Sequence, residues 1–147
     1  MAGTTPLIAV VHDGRQGWAS PQAYAARDGA AEVGARCVLV GSQGLGEPQW
    51  ALLRAAGGIL FGAELPGAAG RADWRGRPAA GFTDPRADPY DRLRELCAFA
   101  QGLGMDWLGT HVPPPPSPHA PLSVAQASLD SVRFLAARLV RAARTAG

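Results

Sequence analysis

Short apolar runs alternate with amphipathic stretches along the whole chain. Leu7–Val11 (LIAVV) is a run of strand length, and Ser20-Pro21 then offers a helix cap with proline at the first helical position. A first helix is predicted from Pro21 to about Val33, stopped by Gly34. Arg36–Val40 (RCVLV) reads as the second strand, and Pro48–Ala56, carrying Trp50, Leu52 and Leu53, as a short helix. Gly58–Gly62 opens the stretch GILFGAELPG and reads as a buried third strand that delivers Glu64 to its C-terminal end. Pro78–Thr83 is the fourth strand. Asp88-Pro89 repeats the cap-plus-proline signal for a helix whose Leu93, Leu96, Cys97, Ala100 and Leu103 follow helical spacing. Met105–Gly109 is the fifth strand. A proline-rich loop, Val112–Pro121, leads to a final helix from about Ala125 to Ala146, with a stripe of Val132, Leu135, Ala136, Leu139, Val140 and Ala143.

Strands separated by helices imply parallel pairing with right-handed crossovers, hence a doubly wound α/β sheet over a single domain, residues 1–147. Five strands fit the flavodoxin-like order 2-1-3-4-5. One crossover is short. Only Ala63–Arg77 joins the third and fourth strands, so any helix there must be very small. A thinly covered sheet face at that point leads to the expectation of a homodimer or larger assembly.

Composition narrows the function classes. The chain of 147 residues is 47% hydrophobic and 18% charged, with a formal charge of +2. All 14 basic residues are arginine and lie scattered, so no basic stripe marks a nucleic-acid partner. The absence of lysine removes Schiff-base and P-loop lysine chemistry. No membrane-spanning run and no secretory segment is present, which gives a cytoplasmic expectation. Cys37 and Cys97 read as plain buried thiols.

The run Trp74–Thr83 (WRGRPAAGFT), the segment Tyr90–Gly109 (YDRLRELCAFAQGLGMDWLG) and the ILFG of the third strand resemble the flavodoxin-like NAD(P)H-dependent oxidoreductases of the quinone reductase and FMN reductase type. That resemblance implies FMN held by three loops at the strand C-termini, and all three loops differ here. In the first loop, HDGRQGWAS, Gly14 and Gly17 match. Ala19 stands where the family has a phosphate-binding threonine, Trp18 is bulky and Asp13 is acidic, while Arg15 and Ser20 compensate in part. The second loop is AELPG, without an aromatic platform. The third is Asp84-Pro85-Arg86-Ala87, where proline removes a backbone donor.

The residues replacing those loops form a different set. His12 and Asp13 follow the first strand, Glu64 the third, Asp84 the fourth and His111 the fifth. In an open α/β sheet these ends converge on the crevice at the topological switch point. Trp18, Leu65, Pro66 and Arg86 are the expected substrate-binding residues, and desolvation by the first three would favour a protonated Glu64. Glu64 and His111 are read as the acid–base pair, oriented by His12, Asp13 and Asp84. No ligand spacing supports a metal. GSQGLG (Gly41–Gly46) has the wrong glycine spacing for a dinucleotide fingerprint and reads as a turn.

The leading expectation is therefore an acid–base enzyme acting on a small molecule, of cyclase, dehydratase, isomerase or hydrolase type, in secondary metabolism and without a required cofactor. The alternative is an FMN-dependent NAD(P)H:quinone or flavin oxidoreductase, with a non-catalytic partner subunit behind it.

Overall fold

The computed structural model describes residues 5–13, 21–83, 89–111 and 121–146. In chain order the elements are β1 (Leu7–His12), α1 (Pro21–Glu32), β2 (Arg36–Gly41), α2 (Glu47–Ala55), β3 (Gly58–Phe61), β4 (Pro78–Phe82), α3 (Pro89–Gly102), β5 (Asp106–His111) and α4 (Pro121–Ala146). The five strands pair in parallel in the order β2-β1-β3-β4-β5. This is the flavodoxin-like α/β architecture that the alternation of elements predicts.

Strand alternation sorts the core into two layers. Leu7, Ala9 and Val11 pack on one face of the sheet with Trp50 and Leu53 of α2 and Leu93, Leu96 and Ala100 of α3. Ile8 and Val10 face the other way, against Ala23, Ala26 and Ala30 of α1 and Val132, Ala136, Leu139 and Val140 of α4. β1 and β3 are covered on both faces, which is why their sequences are continuously apolar. The stripe predicted on the last helix is buried in full.

Helices α1 and α4 approach closely because Gly29 has no side chain. A Cβ there would stand 2.5 Å from the Arg133 carbonyl oxygen and 2.7 Å from its Cα. Beside this contact the Arg133 guanidinium pairs with the Glu32 carboxylate, and Arg144 Nη2 donates to the Val33 carbonyl at 2.7 Å, satisfying an acceptor at the end of α1.

The thin cover predicted between β3 and β4 is not found. No helix forms between residues 63 and 77, yet the loop buries Leu65, Ala68 and Trp74 in the same core cluster as Phe61 and Leu96. Trp74 Nε1 donates to the Ala68 carbonyl at 3.0 Å, so the one polar atom of that ring is paired. Gly67 and Gly70 take positive φ values of 75° and 79°, a conformation open to glycine. The chain's own loop closes this face.

Other boundaries shift by local causes. α4 begins at Pro121, earlier than predicted, because proline is tolerated at the first helical position. β5 extends to His111, and its pairing to β4 slips so that Ala79 opposes Trp107 while Ala80 opposes Gly109. Leu108 is the extra residue of this bulge, and periodicity does not reveal it. The cysteines are only partly buried. Cys37 lies on the edge strand β2, where cover is incomplete, but what cover exists pushes its thiol up to about 11.

Candidate active site

The carboxyl ends of the strands assemble the candidate site. β1 ends in His12 and continues to Asp13, β2 leads to Ser42 and Gln43, β3 to Gly62–Glu64, β4 to Thr83, and β5 ends at His111. Parallel pairing sets His12 opposite Gly41 and Phe82 opposite His111. The strand order reverses direction between β1 and β3, which places the crevice there.

His12 is part-buried and its Nδ1 is fully enclosed without a hydrogen-bond partner among the described residues. Burial lowers its pKa from the usual 6.5, and the negative Asp13 opposes that shift. The imidazole is therefore neutral near pH 7. Its backbone carbonyl accepts from the Ser42 amide at 2.8 Å, and Ser42 Oγ donates to the Asp13 carbonyl at 3.2 Å. Gln43 Nε2 reaches Asp13 Oδ1 at 3.4 Å, a long contact that links the β1 and β2 ends. Ser42 and Gln43 belong to the stretch read only as a turn. The signal for them was topological: the residues after β2 must abut those after β1 when the two strands are neighbours in parallel.

Glu64 is part-buried, and Leu65 beside it is fully buried in the core cluster, while Pro66 is exposed. Thr83 is buried at 4% exposure at the end of β4. The strand order puts β4 between Glu64 and His111, so the axes of their parent strands lie on the order of 10 Å apart. Gly14, Arg15, Gly17, Trp18, Ser20, Asp84 and Arg86 lie outside the described residues. Among the described residues no group of three or more His, Cys, Asp or Glu side chains is placed to hold a metal ion, and no helix is long and apolar enough to cross a membrane.

The fold defines the class: a flavodoxin-like domain whose strand order reverses between β1 and β3. No protein-family model and no curated protein sequence matches the chain. Solved structures do match over nearly its full length. A diflavin flavoprotein A3 from Nostoc sp. aligns with a TM-score of 0.69 at 14% identity, covering 98% of this chain and 97% of the other. A flavodoxin from the domain Archaea aligns at 0.64 and 11% identity, covering 95% and 99%. General stress protein 14 from Treponema denticola, solved in complex with FMN, aligns at 0.57 and 13% identity, covering 92% and 99%.

These likenesses establish the fold, and they correct one expectation. The reading that no cofactor is required drew on departures in three loop sequences. The proteins that share this architecture end to end are flavoproteins by name, and one of them holds FMN.

Proposed function

We propose that this protein binds FMN in the β1/β3 crevice and acts as a flavin-dependent oxidoreductase, taking electrons from NAD(P)H and passing them to a quinone or a free flavin. The observation that carries this reading is the strand order β2-β1-β3-β4-β5, whose switch point between β1 and β3 is where FMN sits in this topology. The match to flavoproteins over nearly all of the chain supports it.

The residues of the crevice fit such a ligand. His12 offers a buried nitrogen with no partner among the described residues, and Thr83 a hydroxyl at the end of β4. Ser42 and Gln43 tie Asp13 to the end of β2. FMN, when bound, supplies hydride and electron transfer. The chain's own part is to hold the ring and its phosphate in place and to limit water at the crevice, whose floor is the apolar Val11 and Phe61, both fully buried.

Purified protein tests the reading directly. FMN titrated into it is expected to lose fluorescence and to raise the Tm, since a ligand at about 100 times its Kd stabilises by about 2.7 kcal/mol. NADH or NADPH is then expected to be consumed when a quinone is added. Unchanged fluorescence and unchanged Tm with FMN in large excess overturn the proposal.

A further inference from the structure

We infer that two copies of this chain associate about a two-fold axis through their β2 edges, joining the two five-stranded sheets into one. The first support is the set of backbone groups that the edge presents. Arg36 and Ser42 donate their amides to the Pro6 and His12 carbonyls of β1, and the register runs without a slip from Leu7↔Arg36 to His12↔Gly41. The even-numbered residues of β2 therefore spend their N–H and C=O groups on β1. Those of Cys37, Leu39 and Gly41 point outward, on a strand that ends the sheet. Leu39 is the middle one. A second copy laid antiparallel about Leu39 sets it against the partner's Leu39 and sets Cys37 against the partner's Gly41, and each such pair exchanges both its N–H···O bonds.

The second support is a contrast between the two edges of the sheet. β5, the opposite edge, starts at Asp106 and is broken by the bulge at Leu108, with Gly109 at a φ of 149°. Bulges and charges of this kind block edge pairing. β2 has neither a bulge nor a proline, it carries no charge from Cys37 to Gly41, and its Cys37, Val38 and Leu39 are only part-buried.

Charge and apolar area select a second copy as the occupant. The pairing about Leu39 sets the exposed Arg36 opposite the partner's Ser42, whose hydroxyl donates to the Asp13 carbonyl, and next to Gln43, which reaches Asp13 Oδ1. Each copy thus brings a cation to the end of the other's sheet where Asp13 is negative. On α1, Arg27 and Asp28 lie near enough to Cys37 for their charges to act on its thiol. The helix runs antiparallel to β2, so Tyr24, about 5.4 Å back along α1 from Asp28, stands level with Leu39, about 6.6 Å on from Cys37. Tyr24 is 40% exposed, with the Arg27 guanidinium 5.0 Å from its ring centre. It adjoins the axis and the partner's Tyr24.

Sedimentation velocity over a dilution series of the 147-residue chain, with no flavin added, tests the assignment. A species of twice 15.2 kDa is expected. Arg36→Glu is expected to raise the dimer Kd about tenfold, and adding Asp13→Arg to it is expected to recover most of that loss. Leu39→Pro removes an outward amide and leaves the β1 ladder whole, and is expected to raise Kd by about tenfold or more. Phe134→Ser, at the 72% exposed ring on α4, is expected to leave Kd unchanged. Amide exchange followed by NMR locates the contact: the Leu39 amide is expected to be protected in the wild-type dimer and to exchange faster in Arg36→Glu, while the Val38 and Val40 amides stay protected in both. A monomer at the highest concentration reached overturns the assignment. So does a dimer that Arg36→Glu and Leu39→Pro leave intact, one that Phe134→Ser disrupts, no recovery in the charge swap, or an unprotected Leu39 amide. If the melting curve shows that Leu39→Pro does not fold, the charge swap and the Leu39 amide decide.

Discussion

The ring of Phe82 fills the space that a side chain on Gly62 would need: a Cβ at Gly62 would lie 2.5 Å from Phe82 Cζ and 2.9 Å from the Val11 carbonyl oxygen. Gly62 also donates its amide to that Val11 carbonyl at 2.7 Å, which closes β3 onto β1 at the rim of the crevice. The glycine is fixed by packing, because at the end of β3 it abuts the buried ring of Phe82 on the neighbouring strand β4.

Gly62→Ala is accordingly expected to destabilise by about 3 kcal/mol, the upper end of what overpacking a core costs, and to lower the Tm by roughly 10 °C. Adding Phe82→Leu to it frees the ring's space and is expected to recover part of the loss in a double-mutant cycle. Additive losses, or an unchanged Tm in the single variant, contradict this account of the contact.

Arg77 holds the end of α2. Its Nη1 donates to the Leu53 carbonyl at 3.2 Å and the Ala56 carbonyl at 3.1 Å, and its guanidinium lies 5.5 Å from the centre of the Trp74 ring. The Leu53 carbonyl also accepts from the Ala56 amide at 3.3 Å, and the positive charge of Arg77 suits a helix C-terminus. Arg77→Met keeps the apolar stem and removes the donors. It is expected to lower unfolding stability in urea by about 1.5–3 kcal/mol, and Arg77→Lys by less. A midpoint for Arg77→Met equal to wild type refutes the capping role.

His12 makes stability depend on pH with a definite sign. Burial lowers its pKa in the folded protein below the unfolded value of 6.5, so the unfolded chain takes up the proton first as the pH falls. The contribution of neutral His12 is full above pH 6.5. It declines below 6.5 until the pH passes the lowered folded pKa. The urea midpoint is expected to be lower at pH 5 than at pH 7.5, and His12→Asn is expected to reduce that difference. An identical pH slope in the variant excludes His12 as its source.

Most of the scaffold was legible from local pattern. LIAVV, RCVLV and ILF are too short and too apolar for surface helices, and the stripe from Val132 to Ala143 has helical spacing throughout. Less of the site was legible. Leu65 reads as a wall of the crevice, yet its side chain is spent on the core beside Trp74, because the loop after β3 has to cover the sheet that no helix covers. Ser42 and Gln43 read as turn residues, and they reach Asp13 from 29 and 30 positions away. Cys37 reads as buried, but among the described residues no strand pairs with β2 on its outer edge.

By itself, then, the sequence determined the elements, their order and the parallel sheet, since each of these follows from the spacing of apolar residues over a few turns or a single strand. Tertiary structure alone decided which side chains meet at the carboxyl edge and on which face. Pairing register and strand order bring His12, Ser42 and Gly62 to one rim and leave His12 Nδ1 without a partner among the described residues. Those relations are set by packing between distant segments, which no local pattern encodes.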